Sequence, residues 1–218
     1  LGIPSARSAA VSPRPMALWT IYPTACSTIF TLDPEIKTIS DLAGKRVNTG
    51  RPAYQWDTIS RELFKAAGIN LDVVTSTGKQ SHEVLADREV DAISYGFLFA
   101  DSKTASINPP MHNVAQISGS LHTVDYTEQL INDIAAANPE WSSRGLMQPV
   151  KYHQGGLRTA ANVDYDINRT DGYCANGTSQ LYLTSPNAPE EIVYQMTKSM
   201  IEHRELGDEF FPFMSANW

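Results

Sequence analysis

A regular alternation of strand-like and helix-like segments between Asp41 and about Pro149 limits the folds open to this chain. Short β-rich runs are followed by stretches in which apolar residues recur every three or four positions, the spacing of one helix face. The clearest unit is a strand at 46–49 followed by a helix at 54–67. Because such units place successive strands side by side and parallel, the alternation predicts an α/β protein with a mostly parallel sheet covered on both faces.

The other elements are predicted from the same patterns. Strands are expected at 16–22, 26–32, 72–77, 91–95 and 112–118. Helices are expected at 79–87, near 98–105, at 125–137 and from about Pro189 onwards. Pro23 separates the first two strands, and Asn138-Pro139 ends the helix before it. Residues 149–184 read as short β-like pieces.

Length and charge exclude several classes of protein. A chain of 218 residues can form one large domain or two small lobes. The net charge is −7 and no run of Lys and Arg occurs, so we expect no nucleic-acid partner. The apolar runs are far shorter than the roughly 20 residues of a membrane span, so we expect no direct membrane insertion.

The junction between strand 46–49 and helix 54–67 is the best candidate binding site. A helix that begins directly after a strand presents free backbone N–H groups and the positive end of its dipole, which suits a carboxylate. Arg51 can pair bidentately with such an anion, although a solvated arginine on a surface turn explains it equally well. The predicted ligand-binding residues here are Thr49, Gly50, Arg51, Ala53, Tyr54 and Gln55.

A second candidate site follows strand 91–95, at the same edge of the predicted sheet. Ser94, Tyr95 and Gly96 lie where the strand ends, and ligands of open α/β sheets bind outside the carboxyl ends of strands. Tyr95 is suited to cover an apolar ligand stem, and Ser94 to donate a hydrogen bond. We favour a core position over a ligand platform for Trp56, at the start of helix 54–67.

Catalysis and metal binding have little support in the sequence. The five histidines stand singly, and no convergent acid and base set can be assembled. The AGKR segment lacks the upstream spacing of a phosphate-binding loop. Cys26 and Cys174 either form one disulfide or remain two buried thiols, and they do not have the spacing of a zinc site. We therefore expect no enzyme activity, no metal and no cofactor.

Four segments together resemble a known family. They are DLAGKRVNTG at 41–50, AAGI at 66–69, ADREVDAISYG at 86–96 and SPNAPEEIVYQMTKSM at 185–200. In their order and spacing they resemble the solute-binding proteins of TRAP transporters, and most closely the TAXI branch. The resemblance covers most of residues 16–204.

The resemblance implies a two-lobed fold of the type II periplasmic-binding-protein kind. It divides the chain into a partial first lobe with hinge strands at 1–38, a complete α/β ligand-binding lobe at 39–149, and a return to the first lobe with the C-terminal helix at 150–218. It also implies that an N-terminal half-lobe of the family, and a cleaved signal peptide, would precede this sequence. By analogy with a family segment near the hinge, Tyr22 joins the predicted ligand-binding residues.

The resemblance also implies a function. We expect an extracytoplasmic, periplasmic solute-binding protein that holds a small carboxylate, an amino acid or an oxo-acid, in a cleft between two lobes. Its partner would be the membrane subunits of a sodium-coupled TRAP transporter. The alternative is an enzyme or a ligand-sensing domain that uses the same fold, because a fold alone does not determine function.

Overall fold

The computed structural model describes residues 16–52, 55–75, 78–99, 105–107, 109–143, 147–152, 157–158 and 171–202. Its strands are β1 Met16–Thr31, β2 Arg46–Asn48, β3 Asp72–Val74, β4 Ala92–Phe99, β5 Ala105–Ile107, β6 His122–Val124, β7 Pro149–Tyr152, β8 Leu157–Arg158 and β9 Gly172–Thr184. Its α-helices are α1 Gln55–Ala66, α2 Ser81–Ala86, α3 Pro109–Ser118, α4 Glu128–Ala137, α5 Pro139–Ser143 and α6 Glu190–Glu202, and a 3-10 helix spans Ile39–Leu42.

All the described strands join one mixed sheet, whose main order is β3-β2-β4-β1-β9-β7. Strand β2 is parallel to both β3 and β4. Strand β1 runs antiparallel to β4 and to β6, so β6 points in the same direction as β2, β3 and β4. The carboxyl ends of these four strands therefore lie at one edge of the sheet.

Helices cover both faces of this parallel unit. The apolar side chains of α2 and α3, among them Leu85 and Met111, share one buried cluster. Those of α1 and α4, among them Leu63 and Ile131, share the other cluster on the opposite face. The α/β class and the doubly wound arrangement of this unit, both predicted from the sequence, are confirmed.

Helix α1 follows its sequence pattern closely. Ile59, Leu63 and Phe64 are at most 4% exposed, which is the stripe expected at three- and four-residue spacing. Gly68 ends the helix with a φ of +67°, and its N–H donates to the carbonyl of Lys65. Since this left-handed conformation is strained for residues with a Cβ, glycine is the residue expected there.

The predicted break between strands 16–22 and 26–32 is wrong, because β1 is a single strand. Pro23 lacks a backbone N–H, and the pairing of β1 with β9 shifts its register between Tyr22 and Ala25. A bulge of this kind lets a strand continue past a residue that cannot donate to the ladder.

Two further predictions are wrong. The expected strand at 112–118 belongs to α3, whose buried residues Met111, Val114 and Ala115 have helical spacing. Pro109 and Pro110 begin that helix. Backbone N–H groups in the first turn of a helix have no intrahelical acceptor, so prolines, which lack this group, are tolerated there. The helix expected near 98–105 is also incorrect in its described part, since β4 continues to Phe99 and β5 pairs back onto it.

The last helix, α6, begins where it was expected, with Glu190 and Glu191 in its first turn. Most of its apolar residues, however, are left largely exposed by the described part of the chain. Ile192 is 54% exposed and Ile201 is 62% exposed, and no α6 residue is buried. The apolar face of α6 is therefore open in the described part of the chain.

The two cysteines form a disulfide. Cys26 in β1 and Cys174 in β9 have their Cα atoms 5.6 Å apart, and 148 positions of sequence separate them. Both side chains are fully buried, and β1 and β9 pair with each other in the same region. Of the two alternatives left by the sequence, the bonded one is observed.

Candidate functional site

The parallel unit has a topological switch point between β2 and β4. From β2 the chain moves through α1 to β3 on one side, and then returns through α2 to β4 on the other side. Val47 and Asn48 are the residues of β2 that pair with β4, so the two strands separate beyond this level. A crevice at such a point, outside the carboxyl ends of the strands, is where open α/β sheets hold ligands.

The loop after β2 is organised by a buried asparagine. Asn48 is fully buried, donates from Nδ2 to the carbonyl of Val74 at 3.0 Å, and accepts from the backbone N–H of Gly50 at 2.9 Å. This side chain ties β2 to β3 and fixes the first turn of the loop. It also occupies one of the backbone N–H groups that the sequence suggested for an anion.

A buried carboxylate connects the loop to α1. Thr49 donates its hydroxyl to Oδ1 of Asp57 at 2.5 Å, and Arg61 donates from Nε to the same oxygen at 2.8 Å. Asp57 is only 4% exposed, and an ion held in a buried place requires such partners. The Thr49 hydroxyl is thus part of the support of the loop.

Helix α1 is joined to β4 by a pair of serines. Ser60 and Ser94 lie within 2.6 Å of each other at their hydroxyl oxygens, and neither is more than 1% exposed. Because both side chains are small, the helix lies close to the strand. We call Asn48, Thr49, Asp57, Ser60 and Ser94 the β2–α1 joint.

Arg51 lies at the outer end of this joint. Its side chain is exposed, and no described residue forms an ion pair with it. The arginine therefore stands at the carboxyl edge of the sheet, just before the N-terminus of α1, with its charge available to an anion.

Tyr95 lies on the other face of β4 from Ser94. It packs partly buried against the α2–α3 cluster, and the ring of His82 meets it edge-on with centroids 6.4 Å apart. Burial raises the pKa of Tyr95, so its hydroxyl stays protonated and can donate a hydrogen bond.

The structure brings together most of the predicted site that it describes. Thr49, Gly50, Arg51, Ser94 and the backbone of Gly96 lie around the separation of β2 and β4. Tyr22 does not join them. It lies five residues along β1 from Ser27, the partner of Gly96, which is about 17 Å of extended strand.

The remaining predicted residues fall partly outside the description. Ala53 and Tyr54 lie outside the described residues, and so do the side chains of Tyr22 and Gln55. Gln55 is the first residue of α1. The grouping of all these residues around a ligand stays a prediction.

Sequence reasoning missed the buried polar residues of the joint. Asn48 and Asp57 bound the candidate loop, but neither they nor Ser60 were predicted as ligand-binding or supporting residues, although they hold the site in place. The sequence carried one usable signal, since Asn48 stands two positions before Gly50 and this spacing is typical of an asparagine turn. The Ser60–Ser94 pair joins residues 34 positions apart and has no local signal.

A separate cavity of about 520 Å³ lies beside the N-terminus of α4. Its described lining shares no residue with the predicted site and includes the carboxylates of Asp125, Glu128 and Asp171. Asp125 also accepts a hydrogen bond from the buried hydroxyl of Tyr152. These three carboxylates outnumber the cation of the described lining, Lys37, and so disfavour a carboxylate ligand.

Within the described ranges, no three or more His, Cys, Asp and Glu side chains gather in a way that would hold a metal ion. In the same ranges, no helix has the length and apolar character needed to cross a membrane.

The sequence matches the model of one protein family. The NMT1-like family matches residues 15–172, which is more than half of the chain. Among curated proteins, none matches this sequence at a significant level.

Several solved structures are similar over part of their length. One is substrate-binding domain 2 of Lactococcus lactis GlnP in an open conformation, with 14% identity, a TM-score of 0.41, and coverage of 99% of this chain and 66% of that chain. Another is the amino acid ABC transporter substrate-binding protein AbpA of Streptococcus pneumoniae bound to L-arginine, with 13% identity, a TM-score of 0.39, and coverage of 93% and 62%.

A third similar structure is the periplasmic aliphatic sulphonate binding protein SsuA of Escherichia coli, with 16% identity and a TM-score of 0.38. That match covers 63% of this chain and 48% of that chain. The present chain thus spans less than two thirds of the length of each of these structures.

Proposed function

Because the chain belongs to the NMT1-like family, we propose that it is a solute-binding protein that captures a small carboxylate at the carboxyl edge of its parallel unit. The ligand lies in the crevice between the loop after β2 and the strand β4. It is held without being transformed, and a membrane transporter receives it.

Arg51 is the observation that carries this proposal. It is a cation without a described partner, beside the switch point and just before the N-terminus of a helix of 12 residues. The charge and the helix dipole favour an anion in the same place. The buried β2–α1 joint holds the loop rigidly, so little order has to be gained when the ligand binds.

The proposed ligand is a small amino acid or oxo-acid. A carboxylate satisfies a guanidinium through two parallel hydrogen bonds. Two of the similar structures are binding proteins for amino acids and for aliphatic sulphonates, compounds that carry a carboxylate or a sulfonate group. A micromolar affinity corresponds to about 8 kcal/mol, within reach of one such ion pair with an apolar cover.

We further propose that the protein acts outside the cytoplasm. The buried Cys26–Cys174 disulfide supports this, because such bonds form and persist in oxidising compartments. The order of the sequence motifs favours delivery to a TRAP-type sodium-coupled transporter, whereas one of the similar structures, AbpA, is the substrate-binding protein of an amino acid ABC transporter. We propose the TRAP type as the partner, with the ABC type as the other outcome of a reconstitution test.

The test of the ligand proposal is a thermal-shift screen of small amino acids, oxo-acids and sulfonates on this chain, followed by calorimetric titration of the hits. A ligand that prefers the native state raises the melting temperature in proportion to the logarithm of its concentration. Arg51→Ala is expected to weaken binding of the best carboxylate by about tenfold or more, because a charge-assisted bidentate pair is lost.

Lys65→Ala provides the matched control. Lys65 is an exposed cation in the last turn of α1, at the other end of the helix from Arg51. We expect Lys65→Ala to leave the affinity unchanged, and neither variant to lower the melting temperature of the free protein appreciably. Equal affinity in wild type and Arg51→Ala would remove Arg51 from the site, and no hit in the screen would reject the carboxylate proposal.

A further inference from the structure

Trp56 lies against the main chain of β4 in an unusually close contact. If Gly96 carried a Cβ, that atom would lie 2.8 Å from Cζ2 and 3.3 Å from Cη2 of the indole. A Cβ contact under 3.0 Å essentially never occurs, so the six-membered ring of the indole occupies the space that a side chain at 96 would fill. Gly96 itself is buried, while Trp56 remains partly exposed.

The neighbouring contacts fix this arrangement. Ser60 lies one helical turn after Trp56, and Ser94 lies two positions before Gly96, so each pair shares one side of its element. The 2.6 Å contact between the two serine hydroxyls sets the height of α1 above β4. The indole is therefore held over the strand at the level where β4 has separated from β2.

This position gives the indole a place in the proposed site. Trp56 is the second residue of α1, so it stands beside the same helix N-terminus that faces Arg51. Its ring fills the side of the crevice that lies against β4. A ligand whose carboxylate pairs with Arg51 would direct the rest of its body towards this ring.

We propose that Trp56 is the specificity-determining residue of the site, and that its indole closes the apolar end of the crevice against all but short-stemmed acids. This inference rests on the proposed function. It adds that the site selects its ligand by length. It also places Trp56, for which the sequence favoured a core position, in direct contact with the ligand.

The experiment is a calorimetric titration with straight-chain 2-oxo acids of increasing length, from pyruvate to 2-oxooctanoate. Wild type is expected to bind the short members and to lose affinity as the chain lengthens. Trp56→Ala is expected to bind the long members about tenfold more tightly than wild type does, because methylene groups in an apolar pocket discriminate on this scale. Gly96→Ala is expected to push the indole into the crevice and weaken the short members by about tenfold.

Tryptophan fluorescence provides a second readout that does not depend on a large truncation. Trp56→Phe keeps an aromatic ring, and Trp141→Phe removes a partly buried indole from α5 as the matched control. A short oxo-acid is expected to change the emission of wild type and of Trp141→Phe, and to leave that of Trp56→Phe unchanged. Melting curves of all variants without ligand show which of them are folded.

The outcomes separate the two proposals. If wild type binds short acids and neither Trp56→Ala nor Trp56→Phe, both folded, gains affinity for longer ones, the length filter is overturned and the carboxylate site stands. If neither wild type nor any folded Trp56 variant binds any member of the series, and the screen of amino acids and sulfonates also gives no hit, the proposed function is overturned, and the inference with it. A gain of affinity for the longer acids that occurs only in the Trp56 variants supports the inference.

Discussion

Asp57 illustrates how one buried residue can determine the shape of a loop that faces solvent. Its carboxylate accepts hydrogen bonds from Thr49 before the helix and from Arg61 within it, and it is almost completely buried. Because each bond ties a different segment to the same oxygen, the loop and the first turns of α1 are fixed as one body. These buried contacts therefore also determine where the exposed Arg51 lies.

A second carboxylate, Asp91, gives the pH dependence of stability a specific source. At the opposite edge of the sheet, Asp91 accepts from the backbone N–H of Arg46 at 2.8 Å, and Oδ1 pairs with Nη2 of the same arginine at 3.0 Å. The Arg46 guanidinium holds the pKa of Asp91 below its ordinary value of 3.8. The carboxyl group of Asp91 is therefore still ionised in the folded protein at a pH where the same group is already protonated in the unfolded chain.

The contribution of Asp91 to stability depends on pH. A lowered pKa in the folded state stabilises the protein above the unfolded pKa of about 4, and this contribution is lost as the pH falls through the folded value. Asp91→Asn is expected to lower the free energy of unfolding at pH 7, and the gap from wild type should close as the pH is lowered past 4. Urea denaturation of both proteins at several pH values measures it.

The control for Asp91 is the same substitution made together with Arg46→Ala. Without the guanidinium, Asp91→Asn should produce a smaller pH-dependent difference, because only the backbone N–H of residue 46 still donates to the carboxylate. A gap between wild type and Asp91→Asn that stays constant from pH 7 to acid would contradict the assignment to this ion pair.

At the scale of elements, helix α4 depends on a side-chain cap. Thr127 precedes the helix in extended conformation, and its Oγ1 accepts from the backbone N–H of Leu130 at 3.1 Å. Thr127→Ala is expected to lower the free energy of unfolding by about 1 kcal/mol, because one N–H of the first turn loses its partner. Urea denaturation gives the difference, and Thr127→Ser should behave like wild type. Equal losses in both variants would show that the hydroxyl is not responsible.

The elements also show what the sequence could predict. Helix α1 and its end at Gly68 followed directly from apolar spacing and one glycine, since both signals act within a few residues. Helix α3 was predicted as a strand because this short segment contains Val114 and Ile117, two β-branched residues that are common in strands. The structure buries Val114 and leaves Ile117 77% exposed, so packing against the sheet decided between the two interpretations.

For the candidate site, the edge was predictable and the supports were not. Thr49 to Arg51 and Ser94 to Gly96 stand at strand ends, and the parallel topology brings such ends together. The contact of Trp56 with Gly96, and of Ser60 with Ser94, depends on how closely a helix lies on a strand. That distance is set by side chains far apart in the sequence, so no local pattern reveals it.

At the scale of the whole molecule, the disulfide between β1 and β9 encloses most of the α/β unit. In the chain-entropy account, a cross-link that closes a loop of 148 residues stabilises the protein by about 5 kcal/mol, mainly by restricting the unfolded chain. The double variant Cys26→Ala/Cys174→Ala is expected to lose several kcal/mol of unfolding free energy. Urea denaturation measured with and without a reducing agent tests this.

The double variant also controls for the reagent itself. A reducing agent present throughout denaturation should lower the midpoint of wild type and leave the double variant unchanged. A wild-type midpoint that does not respond to reduction would argue that the bond contributes little to stability.

The same bond changes what a protease can achieve. Strands β2 to β8 and helices α1 to α5 all lie between the two cysteines, so a single cut anywhere in them leaves two fragments that are still covalently one molecule. The fragments remain neighbours at high effective concentration and keep their shared sheet. In a compartment with many proteases, a molecule cleaved once in this region would therefore stay in one piece until its disulfide is reduced.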